Sequence, residues 1–232
     1  MNHASQNTIT KNINSIRKQI AEAERKYARQ PGSVQLLAVS KTRPIEDIQA
    51  AFSVNQLHFG ENYLQDALPK IEAMTDPSVT WHFIGPIQSN KTRQIAENFD
   101  WVHGVDRLKI AQRLSEQRDP SIKPLNICIQ INTSNEESKS GLSVENTLEL
   151  AKNIHMLPNI RLRGLMTIPA ASADFEQQRK PFRLLRELKE EIQIQGIELD
   201  TLSMGMSGDM EAAIAEGSTM VRIGTAIFGQ RN

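Results

Sequence analysis

Cysteine is nearly absent. Cys128 is the only one in 232 residues, which excludes an internal disulfide and any cysteine-rich metal centre. It lies in the apolar run 125–131 and is expected to fill core space. Net charge is absent as well: Lys plus Arg and Asp plus Glu both number 27, so no long-range field draws in nucleic acid or an anionic membrane. Apolar runs fall far short of the roughly 20 residues that cross a bilayer, and the polar N-terminus has no signal-peptide core. These absences predict a soluble, cytoplasmic protein with neither nucleic-acid nor membrane partners. Two motifs are also missing. No G-x-G-x-x-G turn follows the first predicted strand, and none of the five histidines has H-E-x-x-H spacing, so no metal is expected.

What is present is an alternation. A leading helix over about residues 8–30 carries Ile9, Ile13, Ile16 and Ile20 as one apolar stripe. Predicted strands follow at 35–40, 57–59, 79–84, 101–105, 125–132, 160–166, 199–203 and 220–223. Helices are predicted after the first seven of them, over 44–55, 62–74, 89–98, 106–117, from about 143, over 174–195 and over 209–215. Strand–helix units with no break in composition predict an α/β fold, a single (β/α)8 TIM barrel spanning residues 1–232 as one domain. An open doubly wound sheet is the alternative, which the missing glycine-rich turn disfavours.

In such a barrel chemistry belongs at the C-terminal ends of the strands. Lys41 ends the first strand, after Leu36-Leu37-Ala38-Val39-Ser40 and before Thr42, Arg43 and Pro44. An amine held beside a pocket loses hydration, which lowers its pKa and frees its lone pair for imine formation with an aldehyde. Gly205 and Gly208 flank Ser207 after the seventh strand, and Gly224-Thr225 follows the eighth, where barrels of this kind bind phosphate through backbone N–H groups and hydroxyls. Arg222, between Val221 and Ile223, faces either the barrel mouth or a carboxylate on the outer helices. An amine, a phosphate cradle and an adjacent arginine describe a pyridoxal 5′-phosphate site.

Motifs spread through the chain carry a resemblance. They are Leu37-Ala38-Val39-Ser40-Lys41-Thr42, Phe59-Gly60-Glu61-Asn62-Tyr63, Trp81-His82-Phe83-Ile84-Gly85-Pro86-Ile87-Gln88-Ser89-Asn90-Lys91, Leu202-Ser203-Met204-Gly205-Met206-Ser207 and Val221-Arg222-Ile223-Gly224-Thr225-Ala226-Ile227-Phe228-Gly229. In these the chain resembles the YggS-type pyridoxal phosphate homeostasis proteins. The resemblance implies a barrel like the N-terminal domain of alanine racemase, monomeric, with Lys41 as the Schiff-base lysine. It also implies Ser207, Gly224 and Thr225 at the phosphate, Arg222 at the pyridine nitrogen and Asn62 near the cofactor. Gly208 departs from close relatives, which often carry an acidic residue there.

An arginine at the ring nitrogen opposes its protonation and weakens the cofactor as an electron sink. Alanine racemase adds a second base from a separate β-domain and a partner subunit, for which a chain ending at Asn232 leaves no room. A carrier or regulator of pyridoxal phosphate, serving pyridoxal phosphate-dependent apo-enzymes, is therefore expected rather than an enzyme. The competing readings are an amino-acid racemase, with His82 or Tyr63 moving protons, and a phosphate-sugar barrel enzyme. His82, between Trp81 and Phe83, reads more naturally as a hydrogen-bonded core residue. Met204, Met206 and Met210 read as barrel packing, residues 134–140 as a mobile loop whose Lys139 could reach an anion, and Arg179, Lys180 and Arg183 as a solvated helix face paired with Glu187 and Glu190.

Overall fold

The computed structural model describes residues 3–134 and 140–230. Eight parallel strands close into a barrel in sequence order: β1 (Gln35–Val39), β2 (His58–Glu61), β3 (Thr80–Phe83), β4 (Trp101–Val105), β5 (Leu125–Gln130), β6 (Ile160–Met166), β7 (Thr201–Ser203) and β8 (Met220–Ile223). The seam is β1 on β8, with Leu37 opposite Arg222 and Ala38 opposite Ile223. Each strand is short and buried on both faces, as a parallel sheet under helices requires. The predicted TIM barrel is the fold observed, and no helix among the described residues is long and apolar enough to cross a membrane.

The leading helix α1 (His3–Lys26) buries Ile9, Ile13, Ile16 and Ile20, the four isoleucines of its stripe. It packs on α2 (Ile45–Phe52), α8 (Met210–Ala215) and α9 (Thr225–Phe228), across the outside of the seam. It starts earlier and stops sooner than its periodicity predicts, because Ala28 turns left-handed at φ 52° ahead of Pro31-Gly32. The remaining outer helices are α3 (Leu64–Ala73), α4 (Thr92–Asn98), α5 (Leu108–Gln117), α6 (Thr147–His155) and α7 (Phe175–Ile194). The four-residue α9 is too short to leave a periodic trace in sequence.

Cys128 is fully buried against Trp101 and Met166, and burial pushes its thiol up to about 12, so it is core filling. Arg179 and Arg183 do not pair with Glu187 and Glu190. Both bind Glu216, which is 1% exposed at the end of α8, at 2.7 and 3.1 Å, and Arg186 adds a third contact at 3.5 Å. Pairs along the helix do form, Arg179 with Glu176 at 2.9 Å and Arg186 with Glu190 at 3.9 Å, but the buried carboxylate on the neighbouring helix gains more from a cation in low dielectric and draws all three arginines. Of the methionines, Met204 and Met210 pack inside while Met206 is exposed. Residues 135–139, including Lys139, lie outside the described residues.

Candidate functional site

The C-terminal ends of β1, β2, β7 and β8 surround an open cavity of about 310 Å³, within the size range of small-molecule sites. Its lining includes Lys41, Asn62, Ser207, Arg222, Gly224 and Thr225, so the structure brings all six sequence-predicted residues to one mouth. Val39, Ile84 and Ile168 supply apolar wall.

Lys41 is half-buried, and a strained turn aims the chain around it. Thr42 follows at φ 63°, a left-handed conformation that a β-branched side chain adopts at a cost on the order of 1–3 kcal/mol. The turn is closed by the Arg43 N–H donating to Ser40 O at 3.0 Å, and Arg43 Nη2 donates to Gly229 O at 2.5 Å and Gln230 O at 3.1 Å. Behind it lies a group that sequence reading missed. Ser40 Oγ donates to Glu61 Oε1 at 2.6 Å, and Lys70 Nζ donates to the same oxygen at 2.8 Å and to Ser40 O at 3.0 Å. Glu61 is fully buried, and burial raises its carboxyl pKa against the opposing pull of Lys70 and Ser40. This pair ties the end of β1 to β2 and α3. Lys70 leaves no signal in sequence beyond being one charged residue on a helix.

Asn62 follows β2, and its Oδ1 is buried with no hydrogen-bond partner among the described residues. Its backbone is fixed by Gly85, where an added Cβ would stand 2.2 Å from Asn62 O. Opposite, the 206–209 loop is turned by Asp209, whose Oδ1 accepts the Met206 N–H at 2.6 Å. Burial raises the Asp209 carboxyl pKa, although that hydrogen bond and the Arg222 charge oppose the shift. Gly205 sits at φ 98° and its carbonyl accepts the Arg222 N–H at 2.9 Å, which couples this loop to β8. Gly224 packs closely on β1: a Cβ there would meet Val39 O at 3.2 Å.

Arg222 resolves the choice left open by sequence. It points into the barrel, 4% exposed, and not toward an outer carboxylate. Its Nη1 donates to Ser203 O at 2.5 Å and Ser203 Oγ at 2.9 Å, and its Nη2 to Thr167 O at 2.8 Å. Burial pulls its pKa down to about 10, partly offset by Asp209, and it stays a cation at neutral pH. Ser203 and Thr167 are thus parts of the site to which sequence reading gave no role. The offered proton-transfer groups lie elsewhere. His82 is fully buried inside the barrel, Tyr63 is 56% exposed, and neither lines the cavity.

Comparison with known proteins places this geometry in context. The family profile described as alanine racemase, N-terminal domain, matches residues 10–232. The pyridoxal phosphate homeostasis protein of Vibrio alginolyticus is 56% identical over 97% of this chain and 98% of its own length. That of Escherichia coli K12 is 49% identical over the same shares. Among solved structures, PipY of Synechococcus elongatus with PLP bound superposes with TM-score 0.83 at 35% identity, over 95% of this chain and 100% of that one. Alanine racemase of Corynebacterium glutamicum, at 16% identity and TM-score 0.75 over 97% of this chain and 62% of its own, shares the fold.

Proposed function

From the premise that this chain belongs to the pyridoxal phosphate homeostasis proteins, built on the alanine racemase N-terminal domain, we propose that it binds pyridoxal 5′-phosphate covalently through Lys41 and carries it rather than turning over a substrate. The observation that carries this reading is the convergence of a half-buried lysine, a buried arginine hydrogen-bonded to Ser203 and the Thr167 carbonyl, and two glycine-bearing loops on one cavity. The residues fit the group. The unpartnered Asn62 Oδ1 offers an acceptor for a ring hydroxyl. Gly224 lets the loop after β8 lie against Val39 of β1 at the cavity wall, where a Cβ would meet Val39 O at 3.2 Å.

When bound, the cofactor supplies an aldehyde carbon that condenses reversibly with a primary amine, forming a carbon–nitrogen double bond and releasing one water. Lys41 provides that amine. Ser207 and Thr225 provide hydroxyls, and the loops at Gly208 and Gly224 provide backbone N–H groups, to a phosphate at the end of the barrel where such folds bind one. Arg222 would face the ring nitrogen, where its charge would disfavour a proton. A cation in that place would suit storage of a reactive aldehyde better than carbanion chemistry. The positions of His82 and Tyr63 away from the cavity support carriage over racemisation. We take the recipients to be pyridoxal phosphate-dependent apo-enzymes and the carrier to be a cytoplasmic monomer.

Titration with pyridoxal phosphate should produce a near-visible absorbance band, and borohydride reduction should fix the label on Lys41 by mass spectrometry. Lys41→Ala should abolish the band, and chiral analysis after incubation with single L-amino acids should detect no racemisation. A label on another amine would refute the assignment of Lys41, and Lys41-dependent racemisation would refute carriage. Asn62→Ala should leave a folded protein that loads at least about tenfold more weakly, since it removes the buried Oδ1 acceptor beside the cavity and creates no backbone clash. Equal loading by the two proteins would show that Asn62 does not matter.

A further inference from the structure

Three histidines outside the cavity form a continuous chain through the barrel. Ser203 Oγ lies 2.8 Å from His103 Nδ1, His103 Nε2 lies 3.0 Å from His82 Nδ1, and His82 Nε2 lies 3.0 Å from His58 Nδ1. His82 and His103 are fully buried. His58 begins β2, at the opposite end of the barrel from the mouth, where with Arg17, Glu24 and Gln35 it lines a cavity of about 390 Å³. The other end of the chain is Arg222, through its 2.9 Å bond to Ser203 Oγ.

Arginine can only donate, so Ser203 Oγ accepts from it, and the serine proton needs another acceptor. The acceptor in reach is His103 Nδ1. Neutral His103 must then carry its proton on Nε2 and donate to His82, which in turn donates from Nε2 to His58. The reverse direction would leave the serine hydrogen buried without a partner and bring a proton toward the arginine cation.

Charged groups stand around the chain. Arg222 stands at one end. Arg163 lies 4.8 Å from the ring of Trp101, which stacks on His82 at 5.5 Å. Asp100, which accepts the Trp81 N–H at 2.9 Å, favours a proton on His58 at the far end, and Asp200 is taken up by Arg163 at 2.6 Å.

We propose that His103, acting through Ser203, is a positioning residue for Arg222, and that His103, His82 and His58 form a directional chain with every proton on Nε2. By fixing the Ser203 hydroxyl with its lone pair toward the guanidinium, the chain holds Arg222 in the plane it presents to the cavity. This role in ligand binding rests on the proposal that Arg222 faces the cofactor ring.

Nitrogen-15 NMR of the full chain, labelled at histidine and free of ligand, should show His58, His82 and His103 as neutral Nε2–H tautomers at pH 7. Pyridoxal phosphate titration of His103→Leu should show a shifted band and about tenfold weaker binding, the worth of one charge-assisted hydrogen bond. His103→Asn, whose amide oxygen can accept where Nδ1 did, should restore both. A proton on His103 Nδ1 in the wild type would overturn the direction of the chain. Folded His103→Leu with an unchanged band and affinity, or His103→Asn no better than His103→Leu, would overturn the positioning role. A wild-type protein that forms no band would defeat the functional reading instead, and the ligand-free tautomers would still decide the direction. They also decide it if the leucine variant fails to fold.

Discussion

Gly164→Ala should leave little folded protein. Gly164 lies in β6 opposite Thr201 of β7, and an added Cβ would stand 1.8 Å from Thr201 O and 2.6 Å from its carbonyl carbon. Neither atom belongs to a flexible side chain, so the strands themselves must separate. The neighbouring Arg163 is held by Asp200 at 2.6 Å and Asn126 at 2.8 Å, which prevents the strand from sliding away. Overpacking against backbone of this kind exceeds the ~1–3 kcal/mol of an ordinary core insertion, within a total stability of about 5–15 kcal/mol. Ligand loading should be lost with it, because Thr167 and Ser203, which hold Arg222, follow β6 and end β7. Thermal unfolding followed by circular dichroism decides the matter. A melting temperature within a few degrees of wild type would show that the barrel can open locally at no great cost. Gly208→Ala is the matched control: a Cβ there meets nothing within 4 Å, so stability should hold.

Acidification alone should weaken the fold well before the carboxylates titrate. Burial lowers the pKa of His103 to about 3, helped by the Arg222 charge, and lowers that of His82 well below its ordinary value. In the unfolded chain both histidines titrate near about 6.5. The folded state therefore binds fewer protons below that pH, and stability present above pH 6.5 is lost as pH falls toward the folded values. His103 by itself should cost about 2 kcal/mol between pH 7 and 5, with His82 acting in the same direction. Burial raises the carboxyl pKa of Glu61 and Asp209, and these two groups oppose the trend. Urea midpoints measured at pH 7 and pH 5 should differ clearly in the wild type and by less in His103→Asn. Coincident midpoints would mean that the histidines are protonated in the folded barrel.

The strand–helix alternation was legible because its signals are local. The runs at Trp101–Val105, Ile160–Met166 and Met220–Ile223 appear as strands with the boundaries their apolar patterns predict. β2 extends through Gly60 and Glu61, beyond the sequence expectation, since a glycine breaks strand propensity while pairing with Val39 on one side and His82 and Phe83 on the other restores it. Lys41, Ser207, Gly224 and Thr225 were legible because a barrel puts every strand end on one rim, so knowing the architecture gave their neighbourhood.

Sequence by itself determined the eight-fold repeat, the rim on which the reactive groups gather and the amine at Lys41, since each follows from spacing along the chain. Only the tertiary structure decided that Arg222 turns inward to Ser203 and Thr167, that Glu61 and Lys70 brace the lysine turn, and that His58, His82 and His103 touch end to end. These contacts join residues on different strands, and which side chains meet across a closed sheet is set by its register and shear, which no short stretch of chain encodes.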